Sequence, residues 1–495
     1  MGGSSNLELL GTMKALQSKI LLCATALCLA VPLVAGWQVT VLATDYSVAT
    51  ATRSGQVVGN LRIGNDHGVI FGGSPGLQTV LTPPQFARSA CNSTTGTQQG
   101  GSVTAQGSSS PRASLWSGTP ESWVDLGPGI VRAIDTDIQV GSGLDFKAYL
   151  WRGTLESRVP LHPVATGNSV ACGVSGNVQV GMVGWQGAER ASLWRGTAES
   201  WVELHPLWAL HSYAYATHGG QQAGKTIHEG AFGNTHRASI WTGTRTSWRS
   251  LHPQEFLGST AVGTFEGRQV GSVFGGIPHT NRATMWRGSI ESLVDLHLVL
   301  PQKYHGINSS SEAHNIDVDA TGMMRIVGKA DDDAVVWWRQ FGLSSVTSLN
   351  VFRGVVAAGA LPNLVQSDDV KMRFRPGIVF TSGEAPIQLV FEGEAKSEIP
   401  ESVDFVFETA GSSTSIEVSV HFYNFENSTY ELVYQRTATV GDVYAIATTT
   451  GDMSRFVEAS TRKLRARISA KLLGPTFAYP WTIEIDRAIW MIPEA

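Results

Sequence analysis

The chain has 495 residues, of which 42% are apolar, 9% aromatic and only 16% charged, with a formal net charge of -5. The charged share is below the roughly 25% of ordinary soluble domains, and the absence of any basic footprint argues against nucleic acid as a partner. The 54 glycines and 15 tryptophans suit short strands joined by tight turns.

The first 36 residues stand apart. Lys14 and Lys19 precede an apolar run from Ile20 to Ala35 that ends in Pro32-Leu33-Val34-Ala35-Gly36. A positive start, an apolar stretch and small residues at its end describe a secretory signal peptide over residues 1–36, cut near Ala35 or Gly36, with Met13 as an alternative start. The run is shorter than the roughly 20 residues that span a bilayer, and no later segment is apolar enough. The expectation is a secreted, periplasmic or cell-surface protein with no membrane span after signal removal. Cys23 and Cys28 leave with the signal. Export permits a disulfide between Cys91 and Cys172. They occupy matching places in units two apart, too distant for the roughly 4.4–6.8 Å Cα separation of a bridge, so two buried thiols are expected.

From about residue 45 to 345 the chain repeats itself. Arg112-Ala113-Ser114-Leu115-Trp116-Ser117-Gly118-Thr119, followed by Val124-Asp125-Leu126, returns at Lys147 to Leu161, Arg190 to Leu204, Arg237 to Leu251 and Arg282 to Leu296. Degenerate copies surround Trp337 and Phe71. A period of about 40 to 50 residues signals an array or propeller. In the third unit Ala133-Ile134-Asp135, Gln139-Val140-Gly141, Ala148 to Trp151 and Ser157 to Leu161 read as strands separated by polar or glycine turns. Four such strands make one propeller blade.

The anchors Phe71, Trp116, Trp151, Trp194, Trp241, Trp286 and Trp337 are spaced by 45, 35, 43, 47, 45 and 51 residues, so insertions fall in loops. An indole offers a large apolar surface with one N–H to satisfy, which suits packing between blades. Small first-strand residues such as Ala133, Ala171, Ala214 and Ala261 suit crowding around an axis. The expected fold is all-β: a seven-bladed β-propeller over residues 37–350, six or eight blades if an end unit is miscounted. Trp37 to Leu42 resembles the fourth strand of a unit and can close the ring as the outer strand of the last blade. Val346-Thr347-Ser348-Leu349 competes for that place, and an open, capped array is the structural alternative.

The run from Gln139-Val140-Gly141 to Leu161, and again from Gln269-Val270-Gly271 to Leu296, resembles the extracellular HAF-type repeat proteins of bacteria. The chain departs from that pattern in having Arg-Ala-Ser-Leu-Trp where the family has His-Ala-Phe-Leu-Trp. The resemblance implies a propeller-like repeat and export. It carries no general activity, so no catalytic residue transfers.

Residues 351–365, rich in Ala, Gly, Val and Leu, read as a linker. Beyond it the segments Lys371 to Phe374, Ile387 to Glu392, Val403 to Glu408, Ser415 to Phe422, Tyr430 to Tyr434, Ala438 to Ala445, Leu464 to Leu472 and Trp481 to Trp490 have strand length. They fit a β-sandwich or jelly roll over residues 366–495, with a hairpin turn at Glu426-Asn427-Ser428.

Sites are harder to read. His162, His205, His252 and His297 occupy equivalent positions, each at the end of a fourth strand, as a ring of imidazoles that binds metal or an anionic ligand or as one repeated structural contact, such as a bond to a loop carbonyl. Zinc needs its ligands around one ion, and a fourth strand lies at the rim, so the structural contact is expected. Asp331, Asp332 and Asp333 are weak calcium candidates in a loop that reads as a solvated tip; Asp317 and Asp319 fit a turn. No other cofactor is implied. Glu121, Glu156, Glu199 and Glu291 give a ring of charge, not the facing pair that sugar hydrolysis requires, and no nucleophile elbow, zincin or phosphate-loop motif occurs. Candidate binding residues are Trp123, Trp201 and Trp248, which recur four residues after the Gly-Thr turn, and the polar loop group His228, Glu229 and His236. The expected function is non-catalytic binding or scaffolding with an extracellular protein or polysaccharide ligand. The alternative is a propeller glycosidase or polysaccharide lyase.

Overall fold

The computed structural model describes residues 36–163, 167–230, 233–275, 280–381, 383–396, 400–449, 453–474 and 480–494. The signal-peptide expectation lies outside the described residues, Gly36 excepted. The described chain is all-β, with helix confined to short 3-10 turns.

Six antiparallel four-stranded sheets follow one another in sequence. The first contains Ser47–Arg53, Gln56–Ile63, Asn65–Phe71 and Gln78–Val80; the sixth contains Gly258–Phe265, Arg268–Phe274, Asn281–Trp286 and Val294–Asp295. A seventh unit is built from Ser311–Val318, Met323–Ala330 and Asp333–Ser345. Its outer strand is Gln38–Ala43, which places Gln38 opposite Trp338 and Val41 opposite Val335. The N-terminal segment therefore takes the outer position for which Val346 to Leu349 competed.

Each anchor packs on the sheet before its own. Trp116 meets Val58 and Leu81, Trp151 meets Leu115 and Leu126, and Trp337 meets Met285 and Leu296. Phe71, in the first sheet, packs on Val327 and Ala334 of the seventh unit, so the row of sheets returns on itself. Polar tethers follow the same path. The Ala191 and Ala238 N–H groups donate to Ser212 and Ser259 of the next sheet at 2.8 and 2.9 Å. The Ala334 N–H makes the equivalent bond to Ser47 of the first sheet at 2.8 Å. Trp151 and Trp337 donate their indole N–H to the Leu126 and Leu296 carbonyls of the preceding sheet, each at 3.0 Å. Among the described residues the Trp116, Trp194, Trp241 and Trp286 indole N–H groups are buried without a partner, so these anchors hold their seams by apolar packing.

The C-terminal half is a sandwich. One five-stranded sheet has the order Ser348–Arg353, Ile387–Glu394, Lys463–Leu472, Ile416–Asn424, Thr429–Thr437. The facing sheet is organised on Ile483–Pro493, which pairs with Val403–Gly411 on one side and with Met372–Arg375 on the other. Between the sheets lie Phe374, Leu389, Phe391, Phe405, Phe407, Val420, Phe422, Ile468 and Trp490. Residues 351–365, expected as a linker, instead hold the end of the strand Ser348–Arg353, the strand Val355–Ala358 and the 3-10 turn Leu361–Leu364. The change of partner comes earlier: Phe341 to Ser345 leave the seventh unit and pair with Ile489 to Pro493.

Val403–Gly411 is buried along its whole length because both of its faces are covered. Phe405 and Phe407 enter the sandwich core. Val406 joins Tyr444, Ile446, Ile489 and Met491 against Phe265, Val270 and Met285 of the repeat. Ion pairs cross this junction: Arg268 to Asp404 at 3.1 Å, with both side chains fully buried, Arg287 to Asp404 at 3.6 Å, and Arg487 to Glu266. The sandwich therefore has one covered outer face and one open one.

The two thiols are free, but their places are not equivalent. Cys91 pairs opposite Gly101 and is buried, and that burial pushes its thiol up to about 12. Cys172 sits one register position later, at an irregularity between Ala171 and Gly173, and is half-buried.

Candidate functional site

The open face of the sandwich is the outer surface of its five-stranded sheet. Alternation along each strand sends one set of side chains to the core and the other to solvent. Leu464, Ala466, Ile468 and Ala470 go inward, so Arg465, Arg467, Ser469 and Lys471 face outward. Two adjoining depressions cross this face, of about 460 and 370 Å³, and Phe352 and Arg467 line both. Gln388, His421, Ser419 and Leu432 complete the larger; Asn350, Glu392, Tyr430 and Arg465 complete the smaller.

Aromatic rings support the arginines. The Arg467 guanidinium lies 4.1 Å from the Tyr430 ring centre and that of Arg465 lies 4.7 Å from Tyr423, distances at which the ring quadrupole attracts a cation. Tyr423 and Tyr430 meet edge to face at 5.0 Å. Arg465 is also held by Glu392, at 2.8 Å. Among the described residues Arg467 has no such acid, and its Nε and the Nδ1 of His421 are buried with no hydrogen-bond partner. Burial pulls the Arg467 guanidinium below its ordinary range. The His421 imidazole is lowered by burial first and by Arg467 second. The floor of the groove thus presents planar polar groups with unused bonding capacity beside the exposed Phe352 ring.

A second concavity lies among the repeats. Every first strand carries a register irregularity, and the residues at these seven places are Thr50, Asn92, Arg132, Cys172, Tyr215, Val262 and His314. All seven line one cavity of about 620 Å³. A bulge adds an unpaired residue and re-aims its side chain, which is how each sheet contributes one group to the same space. Thr50 donates to the Cys91 carbonyl at 2.8 Å and Asn92 to the Val131 carbonyl at 2.8 Å, each in the next sheet. His314 of the seventh unit contacts the Ala49 carbonyl of the first at 3.1 Å.

The residues singled out by sequence are distributed differently. Trp123, Trp201 and Trp248 are half-buried, and each donates its indole N–H within its own sheet, to Ser114, Ser192 and Ser239 at 2.9, 2.9 and 3.0 Å. They join separate aromatic contacts: Trp123 with Phe86 at 4.9 Å, Trp201 with Trp185 at 5.6 Å and Trp248 with Trp208 at 4.5 Å. His228 stacks on the same Trp208 at 4.6 Å, and Trp208 is 51% exposed. Burial lowers His228 to about 4, with Arg237 contributing next. His236 turns toward Phe274 instead, at 5.9 Å, and Glu229 is exposed. So Trp248 and His228 come together around an indole that the repeat did not flag.

The recurring histidines make one repeated structural contact, with a serine hydroxyl, and His205 also bonds the Ala209 backbone in the following loop. His162, His205, His252 and His297 reach Ser169, Ser212, Ser259 and Ser311 of the following sheet at 2.8–2.9 Å. The triple aspartate is not a free solvated tip. Asp333 accepts from Lys303 at 2.9 Å and from the Tyr304 hydroxyl at 2.5 Å, and Asp331 accepts from the Ser310 N–H at 2.8 Å. Asp319 closes its own turn by accepting from the Thr321 N–H at 2.9 Å and from Arg325 at 2.6 Å. Among the described residues no group of three or more His, Cys, Asp or Glu side chains is placed to hold a metal ion.

Neither concavity was found from sequence. Arg465, Arg467, His421 and Tyr430 read as ordinary outward positions of separate strands. The irregular positions of the repeat hide because they are the ones that do not repeat.

No family model and no curated protein matches the chain. Among solved structures, a mutant of a family 29 carbohydrate binding module is similar at 14% identity, covering 29% of this chain and 91% of that one, with a TM-score of 0.18. A CBM4 structure is similar at 10% identity, covering 30% and 86%, with a TM-score of 0.20. A family two carbohydrate esterase from Cellvibrio japonicus is similar at 10% identity over 32% of this chain and 35% of its own length, with a TM-score of 0.18. Among the described residues no helix is long and apolar enough to cross a membrane.

Proposed function

We propose that this is a secreted, non-catalytic polysaccharide-binding protein. In this reading a seven-bladed β-propeller of HAF-type repeats, preceded by a cleaved signal peptide, carries a β-sandwich whose open sheet face holds the glycan. One observation carries the ligand class. The groove sets the exposed Phe352 ring beside the half-buried Arg467 guanidinium, which has no carboxylate partner among the described residues. Sugar hydroxyls accept from the accessible edge of the guanidinium, and a pyranose face covers a ring. A protein ligand calls for a different surface, since the centre of a protein interface is apolar and depleted in charge. This groove contains Glu392, Glu417, Arg465, Arg467 and Lys471.

The test is affinity electrophoresis of the chain through gels containing soluble plant, fungal and bacterial polysaccharides. At least one polysaccharide should retard the wild type, and Arg467→Ala or Phe352→Ala should weaken retardation about tenfold, the loss of one charged hydrogen bond or one stacking ring. Retardation by none of them, or equal retardation of both variants, removes the reading. The Trp208, His228 and Trp248 cluster offers a second stacking surface on the repeat. If it contributes, Trp208→Ala weakens the same binding independently of Arg467→Ala.

A further inference from the structure

We propose that the cavity ringed by the first-strand bulges is a second ligand site, separate from the sheet groove, and that it takes a small oxyanion-bearing ligand: a carboxylate, phosphate or sulfate group. The volume of about 620 Å³ lies within the roughly 300–1,000 Å³ of small-molecule sites.

The argument begins with what repeats and what does not. Just before the bulge most units carry a small residue: Ala49, Ala171, Ala214 and Ala261 are fully buried between sheets, with Val131 in the third unit. The bulge position changes chemistry from unit to unit, and so does the strand end three residues on, where Arg53, Thr95, Asp135, Ser175, His218 and Phe265 line the same space. Unlike groups, most of them polar, converging on one cavity are what ligand recognition requires.

Charge then selects the ligand class. Arg132 is exposed on the cavity wall, and Arg53 lines the same space with its guanidinium 4.9 Å from the Phe265 ring centre. Neither has a carboxylate within ion-pair distance among the described residues, whereas the neighbouring acids are engaged. Asp135 accepts from the Gly176 N–H at 2.6 Å, Asp137 pairs with Arg152 at 3.0 Å, and Asp317 accepts from the Ser54 N–H at 2.7 Å. Among the lining side chains two guanidiniums without an ion-pair partner thus stand against one carboxylate, Asp135, that lacks one, which leaves a positive balance. A guanidinium presents a planar fork that matches an oxyanion with two hydrogen bonds.

Isothermal titration of the purified chain with digalacturonate, inorganic phosphate, sulfate and neutral cellobiose tests this. The expected result is binding of at least one of the three anions, a Kd raised at least tenfold by Arg132→Gln and only partly by Arg132→Lys, and no effect of Arg132→Gln on polysaccharide retardation in gels. Preference for digalacturonate identifies an acidic sugar as the source of the anion; preference for phosphate or sulfate identifies the free ion or its ester. Val262→Glu adds a carboxylate at a bulge position and should abolish anion binding on its own, which keeps the test open if Arg132→Gln fails to fold. The proposal is overturned if no anion binds at millimolar concentration, if cellobiose binds as well as the anions, or if folded Arg132→Gln or Val262→Glu binds as the wild type does.

Discussion

Asp404→Asn should separate the two halves of the molecule energetically. The Asp404 carboxylate is fully buried and meets Arg268 at 3.1 Å, Arg287 at 3.6 Å and the Thr448 hydroxyl at 2.6 Å. Arg268 is itself fully buried and Arg287 has 5% side-chain exposure. Both arginines belong to the sixth repeat unit, and Asp404 lies on the sandwich strand Val403–Gly411. The amide keeps the shape and loses the charge, leaving two guanidiniums facing each other in a dry junction. Removing one partner of a buried pair costs about 3–5 kcal/mol, two to three and a half decades in the folding equilibrium. Urea unfolding followed by tryptophan fluorescence reads the loss as a lowered midpoint. The sandwich signal should move away from the repeat signal, because the junction is what couples them. Replacing all three groups together, as Arg268→Met, Arg287→Leu and Asp404→Leu, should recover most of the stability, since apolar groups of similar volume carry no desolvation debt. A loss below about 1 kcal/mol in Asp404→Asn, or a triple variant as unstable as the single one, would refute the assignment of the junction to this cluster.

Two further outcomes follow from the packing. Trp151→Ala removes an anchor that is fully buried against Leu115 and Leu126 and donates to the Leu126 carbonyl; it should cost about 3–5 kcal/mol in thermal or chemical unfolding, while Trp123→Ala, at a half-buried position, should cost clearly less. Stability should also fall as pH drops from about 6.5 to about 4. Burial first, and neighbouring arginines second, hold His218 at about 3 and His228 and His252 at about 4 in the folded chain. The unfolded chain therefore binds protons in that window which the folded chain refuses. Glu408, raised to about 7 by burial, acts in the opposite sense, as do Asp317 and Asp486, also raised by burial; His205, His236, His297 and His421, lowered by burial, add to the three histidines on the other side. A urea midpoint at pH 4.5 equal to or above that at pH 7.5 would contradict the balance.

The sequence exposes those parts of the fold whose physics is local. Four short strands per unit could be read because glycine and polar turns bracket each one. The hairpin turn at residues 426–428 could be read because Asn424 and Thr429 close it as a pair. Val355–Ala358 could not, because it is an exposed strand with no buried face and its Ala-Val composition looks like a spacer. Val403–Gly411 shows no alternation because a sheet covered on both faces has no solvent side. The groove was invisible for a different reason. Arg467, His421, Tyr430 and Phe352 come from four strands whose order in the sheet, given by pairings such as Val390 with Arg467 and His421 with Arg467, departs from their order in the chain.

The repeat itself explains why its scaffold residues could be read so easily and its cavity not at all. A serine that accepts from the preceding sheet, a histidine that bonds that serine and an indole wedged into the seam are each fixed by a neighbour on both sides. Changing one leaves a buried donor or a void, so most units retain the set or a close substitute, as Thr82 does when it bonds Ser89 at 2.6 Å in place of a histidine; Gly127 and Gly129 stand at the two places between the second and third sheets. The bulged residue has no ladder partner. It faces the cavity, where Thr, Asn, Arg, Cys, Tyr, Val and His all fit the same backbone, although Thr50, Asn92 and His314 also bond a carbonyl of the adjoining sheet. Substitution there costs the fold little, so the position is free to be set by whatever occupies the cavity. Repetition marks the residues that hold neighbouring sheets together, and its failure at the bulge and at the strand end marks the residues that face the cavity.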